Sequence, residues 1–336
     1  MHPATSRIAA VAIGLLPMSV AAAEPIELKL SYFTSDRSEI YQASIKPLVD
    51  GVNAEGKGIV QIKVYFSGAI NSVQSLEPQL VSDGIADLAL IVPGRTPNRF
   101  PDSSILEMPG LFRDSREASL TFMRLAQSGM LAGYEDVIVL GAFVSASESI
   151  HSRKPINTLA DLKGLTVRVN NPTEAEVLQK FGAVPVLLAI NQTTEAVSSG
   201  VIQAATLPPS MLFEFGVGRV TRHHYMMPLG GAPNALIMNR KKFEALPRQA
   251  QAVIRRFSGE WLSDHSARYF GAIDDSVLGK LKSDPKRVVT NPSDADAAAI
   301  HQVFAAVLEE YARSSDRSRN LLARVKHEIA SLRRGE

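Results

Sequence analysis

Arg168 is the residue whose surroundings point most directly to chemistry. It lies in Gly164-Leu-Thr-Val-Arg-Val169, an apolar run that reads as a strand. Alternation along a strand puts Thr166, Arg168 and Asn170 on one face and Val167 and Val169 on the other. An arginine so placed needs an anionic or carbonyl partner, because an unpaired guanidinium is costly away from water. Its planar fork matches a carboxylate through two parallel hydrogen bonds. Two partners meet that need: the carboxylate of a bound ligand, or a structural Asp or Glu in an internal salt bridge. The carboxyl end of a parallel strand is where open α/β sheets bind ligands. An enzymatic reading requires a general base nearby, for which Glu174, Glu176 and Glu195 are the candidates. Their helical placement predicts exposed, structural roles instead.

Aromatic and polar residues also follow predicted strands earlier in the chain. Tyr32-Phe33-Thr34, Phe66-Ser67-Gly68-Ala69 and Val92-Pro93-Gly94 fall at such ends, where loops converge on a cleft facing Arg168. Other chemistry is missing. The sequence has no Gly-x-Ser-x-Gly elbow, no His-Glu-x-x-His and no phosphate-binding Gly-x-x-x-x-Gly-Lys-Ser/Thr. Gly216-Val-Gly218 begins like a dinucleotide loop, but Thr221 stands at the third glycine position. His223-His224 are adjacent on a predicted strand, so they point to opposite faces and suit one metal ion poorly. The absence of cysteine excludes disulfides, thiolate metal sites, cysteine nucleophiles and a lipidated N-terminal cysteine. Lys and Arg number 36 against 34 Asp and Glu, a formal charge of +2. So balanced a surface offers little attraction to nucleic acid or anionic lipid. Neither a cofactor nor a resident metal is expected.

The elements that must position these residues are legible in the hydrophobic pattern. Residues 1–23 read as a secretory signal peptide: Arg7, an apolar run from Ile8 to Val20, then Ala21-Ala22-Ala23 before Glu24. The apolar run is too short to span a bilayer and contains Pro17. Strand and helix patterns then alternate. Strands are predicted over 26–32, 59–66 and 85–92, with helices over 38–53 and 72–83 between them. This order implies a parallel sheet covered by helices. A second unit follows, with strands at 164–169, 184–187 and 201–205 and helices at 173–181 and 192–199. Pro185 marks 184–187 as an edge strand or a strand start. No Gly/Ser/Pro-rich linker separates the units, which predicts domains joined by short crossovers that act as a hinge. Residues 247–284 carry a helical pattern, with Gly259, Gly271 and Gly279 as candidate bend points. Helices over 297–313 and 318–332 complete the chain, with a frayed charged tail expected beyond them.

These segments resemble the solute-binding proteins of tripartite ATP-independent periplasmic (TRAP) transporters, the DctP-like family. The most specific piece is Ser152-Arg-Lys-Pro-Ile-Asn-Thr-Leu-Ala-Asp-Leu-Lys-Gly-Leu-Thr-Val-Arg-Val169, followed by Phe181-Gly-Ala-Val-Pro-Val186. Val81 to Ala89, Leu106-Glu-Met-Pro-Gly-Leu-Phe112, and Leu236-Ile-Met-Asn239 before Leu246-Pro247 match in the same order. The resemblance implies an α/β, two-domain periplasmic binding protein fold of type II-like form. Its parallel or mixed sheets are joined by hinge strands, and a long helix spans both domains. On this chain that gives domain I over 24–147 plus 233–260 and domain II over 148–232. The spanning helix covers 247–284, and C-terminal helices over 285–336 pack on the domains.

The resemblance also implies that Arg168 grips a substrate carboxylate. Tyr32, Phe66, Asn170 and the loop from Leu207 through Met211 would line the same cleft. Domain closure would present the ligand to membrane permease subunits, which couple uptake to an ion gradient. A periplasmic, monomeric receptor for a small carboxylate is the function implied. Two departures bear on the ligand. Where many members carry an asparagine before proline, this chain has Leu207-Pro208. Members with a further arginine upstream are not matched either, since Val139 to Ile150 contains none. Leu207, Pro208, Pro209, Met211 and Phe213 make this side apolar, favouring a monocarboxylate with an apolar or aromatic body over a sugar acid. The alternatives are a periplasmic carboxylate-processing enzyme and a receptor serving an ATP-driven importer or a sensor.

Overall fold

The computed structural model describes residues 24–336; the expected signal segment, 1–23, lies outside them. The chain opens with β1 (Ile26–Ser31), α1 (Lys46–Glu55), β2 (Val60–Tyr65), α2 (Glu77–Ser82) and β3 (Leu88–Ile91). It continues through α3 (Ser115–Gln127) and β4 (Val137–Val144). There follow β5 (Ser149–Ser152), β6 (Thr166–Val169), α4 (Pro172–Lys180), β7 (Val184–Leu187), α5 (Ile190–Ser199) and β8 (Ala204–Leu207). Next come α6 (Pro209–Glu214), α7 (Val217–Val220), β9 (His223–Tyr225) and β10 (Pro233–Asn239). The last elements are α8 (Arg240–Ala245), α9 (Arg248–Arg256), α10 (Glu260–Ser283), β11 (Val288–Thr290), α11 (Asp294–Ser314) and α12 (Asp316–Arg334).

These strands form two mixed sheets. The five-stranded sheet has the order β2-β1-β3-β10-β4, and the six-stranded sheet β11-β9-β5-β8-β6-β7. The early β-α-β units pair in parallel, as the alternating pattern predicts. β10 inserts antiparallel between β3 and β4. Every residue of β10 is buried, so its sequence carries no alternation and gives no strand signal of its own. β7 is an edge strand, where Pro185 costs no ladder bond.

The chain leaves the first sheet after β4 and returns to it at β10. The two crossovers run side by side: Ser145 N donates to Ala232 O at 3.0 Å, Glu148 N to Gly230 O at 2.7 Å and Leu229 N to Glu148 O at 3.0 Å. Gly230 sits at φ +92, and a Cβ there would lie 2.4 Å from the Glu107 carbonyl oxygen. Short, paired crossovers of this kind restrict relative motion to a hinge.

The helix expected over 247–284 is two helices. α9 ends at Arg256, and Gly259, at φ 76 and ψ −146, starts the 24-residue α10. That backbone conformation is closed to side-chain-bearing residues. Its N–H donates to Leu140 O on β4 at 2.6 Å, fixing the break against the first sheet. Gly271 and Gly279 lie inside α10 without breaking it. α10 still touches both sheets' layers. Ser263 Oγ accepts from Ala142 N of β4 at 3.0 Å, and Asp274 accepts from Ser210 N of α6 at 2.6 Å. The C-terminus is tied down rather than frayed: α12 runs to Arg334, and Arg333 pairs with buried Glu117 at 2.7 Å.

His223-His224 do not form a metal pair. His224 faces His151 across β5 and β9, with their Nδ1 atoms 2.8 Å apart and both rings buried. Arg287 Nη1 donates to His224 Nε2 at 3.4 Å, which leaves the proton on His224 Nδ1. His151 Nδ1 then accepts it, and His151 Nε2–H donates to Leu207 O at 3.1 Å. Both rings are neutral in this arrangement. Burial pushes His151 down to about 4 and His224, also repelled by His151 and Arg287, to about 3.

Two tests follow from these contacts. Gly259→Ala should destabilise the fold by about 1–3 kcal/mol, because alanine is strained at that φ and ψ; unchanged urea denaturation would contradict the assigned break. The His151 and His224 rings should stay unprotonated in NMR titrations down to about pH 4. Because the unfolded rings take protons near pH ~6.5, this pair's contribution to stability is complete above that value and is lost as pH falls toward 4. A midpoint near 6.5 for either ring would refute the arrangement.

Candidate functional site

β6 supplies the site's central residue by simple alternation. Val167 and Val169 are fully buried and join a core cluster with Val177 and Leu178 of α4. Arg168 points the other way, into a cleft between the two sheets, and is 1 % exposed. The guanidinium is held by three neutral acceptors. Nε donates to Leu188 O at 2.9 Å, Nη1 to Thr206 O at 2.9 Å and Nη2 to Asn170 Oδ1 at 3.1 Å. No carboxylate among the described residues forms an ion pair with it, so the internal salt bridge is absent at contact distance. A guanidinium has five N–H groups. After these bonds, one N–H remains on each terminal nitrogen, the number that a bidentate carboxylate takes.

A second arginine comes from across the cleft. Arg95 ends the 3-10 turn Pro93–Arg95 after β3, and its Nη2 donates to Asn170 Oδ1 at 3.0 Å and Leu188 O at 3.2 Å. Both arginines thus share the same two acceptors. Burial and the neighbouring Arg168 charge push Arg95 down to about 10; burial likewise lowers Arg168, with Glu148 and Glu174 opposing.

Glu174 is buried, 1 % exposed, against the expectation of an exposed helical residue. It sits in the first turn of α4, which Asn171 caps by accepting from Glu174 N at 2.8 Å. Its carboxylate accepts from Asn170 N at 3.0 Å, Thr206 Oγ1 at 2.6 Å and Asn171 Nδ2 at 3.1 Å. Glu148, on the crossover after β4, is 2 % exposed and lies beside it. Burial and the Glu174 charge raise Glu148 well above the usual carboxyl range. Burial also raises Glu174, while its three donors and Arg168 favour the ionised form. Both carboxyls are therefore raised, Glu148 the more strongly, and the pair does not ionise fully. Glu107, also buried, is pushed up to about 8 by burial and by Glu174. Glu176 instead pairs with Lys180, and Glu195 is exposed.

The cleft encloses a cavity of about 70 Å³. Of the expected lining residues, Arg168, Asn170, Leu207 and Met211 meet there. Tyr32 and Phe66 do not. Tyr32 continues the Leu28–Leu30 face of β1 into the core, where its hydroxyl lies 2.6 Å from Ser38 Oγ. Phe33, one residue on, turns to the cleft instead. Phe66 packs edge-on against Tyr41 with ring centroids 5.0 Å apart. Sequence reading missed Arg95, Glu148, Phe143, Phe215 and Asn234, which also form the wall. Arg95 had a usable signal, directly following the Val92-Pro93-Gly94 strand end; Glu148 and Asn234 belong to crossover geometry that no periodicity reveals.

The chain matches the family model DctP, described as bacterial extracellular solute-binding protein, family 7, over residues 30–314. A solute-binding protein of Sulfitobacter sp. (strain NAS-14.1) is 26% identical over 261 residues, 73% of this chain and 75% of that protein. A TRAP solute-binding protein of Rhodoferax ferrireducens T118, solved with copurified benzoate, is similar at a TM-score of 0.84 and 26% identity, covering 91% of this chain and 98% of that one. A marine metagenome TRAP solute-binding protein specific for aromatic acids, solved with 3-hydroxybenzoate, gives a TM-score of 0.84 at 22% identity, covering 92% and 99%. Two sheets bridged by paired crossovers, with the arginine of the family's motif in the cleft between them, agree with that match: the chain belongs to the DctP family of bacterial extracellular solute-binding proteins, family 7.

Proposed function

We propose that this TRAP solute-binding protein takes up a small monocarboxylate with an apolar or aromatic body and hands it to membrane permease subunits. The observation that carries the reading is the state of Arg168: buried, bonded to three neutral acceptors, with one N–H left on each terminal nitrogen. A ligand carboxylate completes that fork.

The charge balance supports an acidic ligand. Arg95 and Arg168 face a group of buried carboxyls, Glu107, Glu148 and Glu174, that burial raises and keeps from ionising fully, so the cleft favours an anion. The rest of the wall is mostly apolar, with Phe33, Ile40, Phe143, Ile190, Met211 and Phe215 suited to a hydrocarbon or ring. Such a wall leaves most hydroxyls of a sugar acid unpaired. The benzoate and 3-hydroxybenzoate bound by the two structural relatives have the same chemistry.

A receptor suits the site better than an enzyme. Glu174 is committed to three donors and Glu148 to a proton, so neither is placed as a free base. Relatives of the TRAP type favour a permease over an ATP-driven importer or a sensor as the partner. The signal-like segment before Glu24 supports a periplasmic, soluble mature protein, and no described helix is long and apolar enough to cross a membrane. Mass spectrometry of protein recovered from the periplasm should give a chain starting at or next to Glu24, without an acyl adduct; retention of Met1 would defeat the export reading.

Calorimetry with benzoate tests the grip. Arg168→Ala should weaken binding by about 30-fold to several thousand-fold, corresponding to the ~2–5 kcal/mol lost when a buried charged contact is truncated. It should also lower stability, since Thr206 O loses the Arg168 donor and Leu188 O and Asn170 Oδ1 are left to Arg95 alone. Arg168→Lys keeps the charge and loses the fork, so weaker binding in a folded protein is expected there too. Wild-type affinity in both variants, with circular dichroism unchanged, would show that Arg168 does not hold the ligand. Mass analysis of recovered ligand should find it unaltered; turnover would favour the enzyme.

A further inference from the structure

Arg95 stands at the cleft with only part of its hydrogen-bonding capacity used. The turn that carries it is fixed on both sides. Arg95 N donates to Val92 O and Thr96 N to Pro93 O, each at 2.9 Å. A Cβ on Gly94 would lie 2.4 Å from Glu107 Oε1 and 3.5 Å from Asn171 Cβ, so the turn is packed close against both. From there the Arg95 side chain enters the cleft wall beside Arg168. Both of its bonds to the second sheet's side come from one nitrogen, Nη2, to Asn170 Oδ1 and Leu188 O. Nη1 and Nε make no hydrogen bond among the described residues, and neither is sealed inside the protein. These two atoms carry three N–H groups. The acceptors beside them are full: Asn170 Oδ1 and Leu188 O each accept from both arginines, which occupies two lone pairs apiece. Glu107, Glu148 and Glu174 act on Arg95 through space, but no carboxylate among the described residues lies within ion-pair distance of it.

The shared acceptors thus set two guanidinium groups one bridging oxygen apart, each without an ion-pair partner. Like charges held so close call for an anion beside both. We propose that Arg95 is a second ligand-binding residue, holding the carboxylate of the bound acid from the first sheet's side while Arg168 holds it from the second. A carboxylate has two oxygens and about four lone-pair sites, enough for both arginines. The inference rests on the carboxylate reading above and adds what that carboxylate does: it ties the two sides of the cleft together. Only the closed arrangement offers the ligand both arginines, so the ligand favours closure by the difference in contacts. A neutral analogue of the same shape gives neither arginine its anion and lacks that lever.

The test is a crystal structure of the benzoate complex, beside calorimetry of benzoate on wild type, Arg95→Met and Arg95→Lys. In the complex a benzoate oxygen should lie within about 3.2 Å of Arg95 Nη1 or Nε, and the carboxylate should also meet Arg168. Arg95→Met should weaken binding by about tenfold or more. Arg95→Lys restores the charge without the planar fork and should recover part of that loss. A carboxylate held by Arg168 alone would overturn this inference and leave the carboxylate reading standing. A folded Arg95→Met with wild-type affinity would do the same. If neither variant folds, the contact in the wild-type complex decides. Benzoate that binds away from both arginines, or that fails to bind wild type, overturns this inference together with the aromatic carboxylate reading.

Discussion

The cleft is arranged around one requirement, keeping a guanidinium charged in a place that water barely reaches. Arg168 is 1 % exposed, and a charge so placed is tolerated only with close compensation. Four elements supply it. The order β8-β6-β7 puts a parallel neighbour on each side of Arg168, in register with Ala205 and Val186. That register brings the Thr206 carbonyl to one side of the fork and the Leu188 carbonyl, just past β7, to the other. Asn170 closes the third direction, and the Glu174 carboxyl of α4 lies one hydrogen bond further out, through Thr206 and the Asn170 backbone.

The same compensation links the two halves of the molecule. Arg95 belongs to the first sheet's side, and its acceptors, Asn170 and Leu188, belong to the second. Glu148 lies on the crossover itself, hydrogen-bonded through its backbone to the returning strand. Of the charged groups in the cleft, Glu148 is the one mounted on the crossovers that join the two sheets. α10 lies along this joint. It is anchored to β4 through Ser263 and to α6 through Asp274. A helix held to both sides at two points can follow a hinge motion only by bending or sliding.

A proton is as much a part of this site as any side chain. Three buried glutamates, Glu107, Glu148 and Glu174, lie near two arginines. Full ionisation would leave the cluster negative and hostile to an acid. Burial raises all three carboxyls, Glu148 most strongly in its coupled pair with Glu174, so they do not all ionise. The sign of the cleft thus follows from burial, not from a count of acids and bases.

The residues themselves determined which units form and where Arg168 points. Period-two alternation at 166–170 separates the valines from Arg168, and local pattern places the β-α-β units, because both signals act over a few neighbouring residues. The motif around Arg168 was equally local. The remaining features depended on contacts between distant segments. β10 is buried on both faces and carries no pattern. Tyr32 and Phe33 differ only in which side of β1's end they leave from, and packing against Ser38 and Tyr41 decides that. The break at Gly259 is held by Leu140, more than a hundred residues earlier. Glu174 had the helical position of a surface residue, yet Asn170, Asn171 and Thr206 bury it in the site. Burial, protonation and cross-cleft hydrogen bonds are properties of surroundings, and only tertiary structure assembles those surroundings.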